Sequence, residues 1–94
     1  MALTRILFEL GRVVATPEAL SVLEESGEEP YPYLGRHVTG DWGELSREDK
    51  SANTLALATG ERILSSYRTS RGVKLLVITE ADRSSTCLLL PEEY

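Results

Sequence analysis

The sequence predicts an α+β domain with a short N-terminal strand, three helices and then a three-stranded antiparallel β-meander (β-α-α-α-β-β-β). Three observations predict it. Residues 73–79 are apolar on both faces of a strand, which is typical of a central strand covered on both sides. Turn-forming segments flank that run at 69–72 and 80–84. Before residue 60, three segments begin at a capping residue or a proline and end at a glycine, as helices do.

The N-terminal strand is predicted over residues 6–15. Ile6, Phe8 and Leu10 alternate as in a strand, and Gly11 then interrupts the pattern, which indicates a bulge. A short N-terminal helix is the alternative interpretation, because the period of this apolar run is ambiguous.

The first helix is predicted from residue 17 to about residue 26. Thr16 can cap its free amides, and Pro17 suits the first helical position because it has no N–H to leave unpaired. We expect Leu20 and Leu23 to be its buried residues.

The second helix is predicted over residues 33–39 and is opened by Pro32. Leu34 and Val38 are four residues apart, so they share its buried face.

The third helix is predicted over residues 47–59. Ser46 is its capping residue, Asp49 follows three residues later as in a capping box, and Gly60 ends it. Its predicted buried stripe is Ala52, Leu55, Ala56 and Thr59.

The meander is predicted as strands over 62–69, 73–79 and 85–90. Pro91 ends the third strand because it cannot donate to the ladder. We expect the acidic segment that follows to fold back, so that Tyr94 covers the sheet edge.

Size and charge limit the classes of function. The 94 residues make a single domain, 1–94. The net charge of -5 argues against binding nucleic acid by neutralising phosphates. A local basic patch around the first hairpin is the one exception that we consider; its members are Arg62, Arg68, Arg71 and Lys74.

Cysteine use and hydropathy predict a cytoplasmic protein. Cys87 is the single cysteine and lies in an apolar strand, so we expect a core residue in a reducing compartment. No apolar run approaches the roughly 20 residues of a membrane span. Residues 1–10 lack the basic start and cleavage pattern of a signal peptide.

The first candidate site lies where the second helix ends. His37 is the only histidine, and its ordinary pKa lies near neutrality. Asp41 follows four residues later and could orient the imidazole of a general base. The structural alternative is that His37 stabilises the helix end, that Asp41 makes a turn and that Trp42 anchors this turn in the core.

The second candidate site is the turn that carries Glu80, Asp82 and Arg83, because charged residues at the end of a rigid strand can bind a ligand. Trp42 is a further candidate for binding. A metal site would need His37, Asp41 and Asp82 to converge, and no spacing resembles a ligand motif. There is no glycine-rich phosphate loop either, so we expect no metal and no cofactor.

Three segments carry a family resemblance: residues 7–17, the run from Arg36 to Gly43, and residues 78–94. They resemble a family of small bacterial proteins from plasmids and mobile elements, some of which are labelled as a type I restriction enzyme M subunit. The resemblance covers nearly the whole chain. A restriction methyltransferase needs a motif such as Asn-Pro-Pro-Tyr, and this sequence has none.

Three functions follow as hypotheses. The first is a non-enzymatic protein-interaction or accessory protein of mobile-element or host-defence biology, with an unknown protein partner or a homodimer through the second face of the sheet. The second is a RelE-like ribonuclease toxin, because the order of elements is similar. One concave face should then be lined by the basic residues Arg62, Arg68, Arg71, Lys74 and Arg83. The third is a small hydrolase that uses His37 with Asp41 or Asp82.

Overall fold

A computed structural model of the chain describes residues 5–94 and confirms the α+β class and the predicted order of elements. The helices are α1 (Pro17–Glu25), α2 (Pro30–Val38) and α3 (Arg47–Thr59), and the strands are β1 (Arg12–Ala15), β2 (Ile63–Arg68), β3 (Lys74–Thr79) and β4 (Ser85–Leu89). A 3₁₀ turn, Pro91–Glu93, follows β4.

The sheet has four strands in the order β1-β4-β3-β2, and it is mixed. The meander β2-β3-β4 is antiparallel, as predicted, but β1 extends it by pairing in parallel with β4. The prediction of a purely antiparallel three-stranded sheet was therefore wrong. Gly11 has a φ of +64°, and its backbone lies so close to Arg83 and Ser84 that a Cβ would collide with them. This close approach starts β1 beside the start of β4, so the two strands run in the same direction.

The N-terminal strand is shorter than predicted. Residues 6–11 are irregular, and Ile6 is 70% exposed. Phe8 is buried in the core, and the backbone N–H of Leu7 donates to the carbonyl of Val38 at 2.9 Å. The alternation in this segment thus reflects single anchoring contacts rather than a strand.

The predicted helix caps at Thr16 and Ser46 are confirmed, whereas the predicted buried residues of the helices are confirmed only in part. Thr16 Oγ1 accepts from the N–H of Ala19 at 3.1 Å, and Ser46 Oγ accepts from that of Asp49 at 3.1 Å. The second helix begins at Pro30, three residues before its predicted start, because a proline is tolerated in the first turn. Leu34 and Val38 are buried on it as predicted, and Leu23 is buried on α1, whereas Leu20 is exposed.

The predicted buried stripe of α3 was wrong except for Ala56. Leu55 is exposed and Asn53 is buried instead, because α3 packs along the outer edge of β2. The Asn53 amide donates to the Leu64 carbonyl at 2.6 Å and accepts from the Leu64 N–H at 3.1 Å. On the same edge the Ser66 N–H donates to the Trp42 carbonyl at 3.1 Å. The outer edge of β2 is therefore closed.

The two faces of the sheet have different covers. We call one the helix face; its residues are Ile63, Ser65, Tyr67, Leu75, Val77, Thr79, Thr86 and Leu88, all buried. We call the other the tail face; its residues are Leu64, Leu76, Ile78, Cys87 and Leu89.

Strand β3 is buried from Leu75 to Thr79, which confirms the predicted central strand. The 3₁₀ turn packs against β3, and the Arg62 guanidinium lies 5.3 Å from the centre of the Tyr94 ring at the β2 edge. Within residues 5–94, no helix is long and apolar enough to cross a bilayer.

Candidate functional site

His37 lies in the last turn of α2 with no exposed surface. Both of its ring nitrogens have a partner on the helix face of the sheet. Nδ1 is 2.6 Å from Ser65 Oγ, and Nε2 is 2.9 Å from Thr79 Oγ1. Phe8 and Trp42 enclose the ring edge-on, with ring centroids 5.1 Å and 6.1 Å from that of His37. The imidazole is therefore sealed from solvent on every side.

The hydrogen bonds continue beyond His37 and fix the direction of the whole chain. Thr86 donates to the carbonyl of Leu10 at 2.7 Å, so its oxygen accepts the proton of Thr79, 2.7 Å away. Thr79 must then accept from His37 Nε2–H, which leaves Nδ1 to accept from the Ser65 hydroxyl. The Leu10 carbonyl at one end of this chain of hydrogen bonds thus selects the neutral imidazole tautomer that carries its proton on Nε2.

Electrostatics agree with a neutral ring. Burial, together with a smaller contribution from the positive charge of Arg83, lowers the pKa of His37 to about 4. A base with this pKa is uncharged at neutral pH and is a poor proton acceptor for catalysis. Ser65 has the hydrogen bond of a nucleophile, but it has no exposed surface, so no substrate can reach it without a structural opening.

Asp41 does not orient His37. Its carboxylate pairs with the Arg36 guanidinium, with Nε and Oδ2 2.7 Å apart, and it also accepts from the Gly43 N–H. The hydrogen bond from Arg36 lowers the pKa of the Asp41 carboxyl. The backbone of Asp41 also has a role, because its carbonyl accepts from the Tyr67 hydroxyl at 2.6 Å. These contacts agree with the structural alternative, in which Asp41 makes a turn, and not with a role in orienting the imidazole.

The charged residues of the β3–β4 turn do not form a joint site with His37 and Asp41. Asp82 is exposed and accepts from the Ser84 N–H at 3.0 Å, and hydrogen bonds with Ser84 lower the pKa of its carboxyl. The side chain of Glu80 is exposed and takes part in none of the hydrogen bonds among residues 5–94.

Arg83 is an anchor of the fold. Its guanidinium donates to the carbonyls of Glu61 at 2.7 Å, Glu80 at 3.1 Å and Ala56 at 3.0 Å, and it lies 5.7 Å from the centre of the Phe8 ring. These bonds hold the end of α3 to the β3–β4 turn. The contacts also account for its unusual positive φ of 60°, because three carbonyls fix the side chain in place.

The basic residues do not share one concave face. Arg62 contacts Tyr94 at the start of β2, whereas Arg68 pairs with Glu44 at the other end of that strand, with 3.1 Å between Nη2 and Oε1. Arg83 bonds to carbonyls beside α3. Arg71 and Lys74 lie at the first hairpin, near Arg68.

Two of the surface grooves have volumes of about 530 Å³ or more and could hold a ligand. The first, which we call the hairpin groove, has a volume of about 540 Å³ and lies between α2 and the β2–β3 turn. Its lining residues are already bonded to one another. Tyr33 donates to Glu28 at 2.7 Å, and the backbone N–H of Ser70 donates to the same carboxylate at 3.4 Å. Burial and the contact with Glu28 raise the pKa of Tyr33 to about 12.

The second groove, which we call the α3 groove, has a volume of about 530 Å³. Trp42 lies at its base and is buried, whereas Leu55 is 61% exposed. The residues that line it are Trp42, Arg47, Lys50, Ser51, Thr54, Leu55 and Ala58. Trp42 is thus the predicted binding residue that the structure places in a groove, and the other lining residues were missed because Leu55 was expected in the core.

No group of three or more metal-ligating side chains occurs among residues 5–94. Comparison with known proteins gives no further assignment: no family model, no curated protein and no solved structure matches this chain. The resemblance to plasmid-related proteins therefore stays a prediction.

Proposed function

We propose that this protein acts by binding another protein through the α3 groove rather than by catalysis. The observation that carries the proposal is Leu55, a large apolar side chain that is 61% exposed beside Trp42. Tryptophan and arginine are enriched among the residues that contribute most to binding energy in interfaces, and this groove holds both Trp42 and Arg47.

The charges of the groove describe its partner. The chain has a net charge of -5, yet the charged residues that line this groove are the cations Arg47 and Lys50. Neither forms an ion pair within residues 5–94. In the hairpin groove, by contrast, Arg36 and Arg68 are each paired with a carboxylate. The unpaired cations favour a partner segment that combines an apolar residue with carboxylates.

A role as an accessory protein of mobile-element or host-defence biology is part of the proposal, and only the family resemblance supports it. One specific observation favours a second candidate, a small hydrolase: the 2.6 Å contact between Ser65 Oγ and His37 Nδ1. Because both residues have no exposed surface, we expect a fluorophosphonate probe not to label the folded protein. Labelling that is lost in Ser65→Ala would instead support the hydrolase.

The binding proposal can be tested by selecting peptides from a random display library on the immobilised protein. We expect enriched sequences to combine acidic and apolar residues. The affinity of a selected peptide should fall at least tenfold with Leu55→Asp, and it should fall with added salt because Arg47 and Lys50 contribute charge. Leu20→Asp is the matched control, because Leu20 is also exposed but lies on α1.

Circular dichroism of both variants will show whether each one remains folded. Equal loss of binding in the two folded variants, or enriched peptides without carboxylates, would count against the α3 groove. A library that yields no binder at any salt concentration would count against the proposal as well.

A further inference from the structure

Within residues 5–94, the outer edge of β1 has no hydrogen-bonded neighbour, unlike that of β2. Arg12 N–H donates to the carbonyl of Ser84 at 2.9 Å, and Thr16 N–H donates to that of Leu88 at 3.0 Å. In a parallel ladder the residues that point to the neighbour alternate, so Val13 and Ala15 direct their N–H and C=O groups outward. None of the described residues, 5–94, pairs with these four groups.

The side chains on this edge are also incompletely covered. Val13 is 44% exposed and Val14 is 42% exposed. An open edge with apolar side chains is a template for another strand, and folded proteins usually cover it or protect it with charge. Strand β1 has one such charge, Arg12, which forms no ion pair within the described part of the chain.

We propose that a second copy of this chain pairs with β1 in the antiparallel direction, across a two-fold axis. The pairing uses residues outside the α3 groove, so it stands apart from the proposed function. Only one register uses all of the outward groups: Val13 opposite Ala15 of the other copy, with the two Val14 residues facing each other on the axis. Neighbouring registers would need Gly11, whose φ of +64° is not extended, or Pro17, which has no N–H.

Charge selects the same register. This register places Arg12 opposite Thr16 of the other copy. The hydroxyl of Thr16 donates to Glu93 Oε1 at 2.7 Å, so the Glu93 carboxylate lies beside Thr16. Arg12, Val14 and Thr16 alternate onto one face of the sheet, so each unpaired guanidinium meets a carboxylate. The two-fold axis produces this ion pair twice. The tail face, which the first hypothesis offered as one place for a homodimer, is already covered by the 3₁₀ turn and has little apolar surface left.

Pairing of a four-residue strand buries a small area, so dimer formation should be reversible. The fraction of dimer should therefore rise with protein concentration. Sedimentation velocity over a range from low to high micromolar concentration measures this directly. We expect Val14→Lys to abolish dimer formation, because it places two like charges opposite each other on the axis. Val73→Lys is the control, because Val73 is 38% exposed and lies at the first hairpin.

The ion pair provides a second test. Arg12→Glu should weaken the dimer at least tenfold, and Arg71→Glu, which makes the same charge change at an exposed residue of the hairpin, should leave it unchanged. Added salt should weaken the wild-type dimer.

The register itself can be tested by cross-linking. In the Cys87→Ser background, Val14→Cys should give a disulfide-linked dimer on mild oxidation, because directly opposed residues of this type have Cα atoms about 4.5 Å apart. Val73→Cys in the same background should not. A monomer at every concentration, equal effects of the two lysine variants, or equal cross-linking at residues 14 and 73 would overturn the proposal. Circular dichroism excludes unfolding as the cause.

Discussion

The two faces of the sheet solve the same packing problem in different ways. The helix face carries a row of polar side chains, Ser65, Thr79 and Thr86, under two helices and His37, and every one of them is fully bonded. The tail face carries an apolar row instead, and its cover consists of one 3₁₀ turn and Tyr94. Its one buried hydroxyl, Ser66 Oγ, has no partner among the described residues.

This fold depends on hydrogen-bond geometry on the helix face and on buried apolar area on the tail face. A buried polar network is stable only while every donor and acceptor is paired, so the helix face should be sensitive to the loss of a single atom. An apolar row loses contact area in proportion to what is removed, so the tail face should respond gradually.

His37→Ala should lower the free energy of unfolding by about 3–5 kcal/mol, because it leaves a cavity and removes the partners of Ser65 and Thr79. Urea denaturation measures the change. Tyr31→Ala on the exposed side of the same helix is the control, for which we expect less than about 0.5 kcal/mol. A loss below about 1 kcal/mol in the free energy of unfolding of His37→Ala would contradict the prediction. The hydrogen-bond network would then stabilise the fold no more than an exposed surface residue does.

Acid should weaken the fold through the same residue. The pKa of His37 is lowered from its usual 6.5 to about 4 in the folded protein, so the unfolded chain binds more protons between these values. The stabilisation is fully present above pH 6.5 and is lost as the pH falls towards 4, by about 3 kcal/mol. The free energy of unfolding of His37→Gln is measured over the same pH range and subtracted from that of the wild type, which removes the contribution of the carboxylates. An NMR titration of the imidazole with a midpoint near 6.5 would contradict this.

Thr86→Val keeps the shape of the side chain but removes the donor to Leu10 and the acceptor for Thr79. The expected loss is about 1–2 kcal/mol in the free energy of unfolding. Thr54→Val, at an exposed site on α3, is the matched change and should stay within about 0.5 kcal/mol. Equal values for the two variants would show that the hydrogen-bond chain does not depend on its last member.

The smallest expected effect is a change in the alkylation rate of Cys87, on the tail face. Glu93 accepts from the Leu90 N–H at 2.8 Å and from Thr16, which holds the 3₁₀ turn in place. Burial raises the pKa of the Cys87 thiol, and the negative charge of Glu93 raises it further. Glu93→Gln should therefore speed the alkylation of Cys87 a few-fold at neutral pH. Glu92→Gln should not change the rate, and the same acceleration in both would argue against a specific role of Glu93.

The sequence predicted what depends on close neighbours along the chain. The caps at Thr16 and Ser46 involve a partner three residues away, so their chemistry is visible in the sequence itself. The parallel pairing of β1 joins segments more than seventy residues apart, and no local pattern specifies it. The error at Leu55 has a related cause: helical spacing defines a stripe, but it does not say whether a helix lies on the sheet or along its edge.

The candidate site shows the same limit. The position of His37 at a helix end was evident, but its partners Ser65 and Thr79 lie on strands 28 and 42 residues away. Hydroxyl residues at inward positions of otherwise apolar strands were the available signal. It becomes informative only when the strand register shows that these hydroxyls meet. Asp41 was assigned to His37 because four residues separate them, whereas the turn directs its carboxylate to Arg36.

The pairing of β1 with β4 also sets an order of events during synthesis. From Arg12 to Ser85 the ribosome must add 73 residues, which takes about 4–15 s at roughly 5–20 residues per second. The meander can form from contiguous sequence, but the nascent β1 has no partner until β4 has emerged. A ribosome that stalls before β4 has emerged would therefore hold a chain with both edges of β1 unoccupied, and unpaired strand edges of this kind are what chaperones protect.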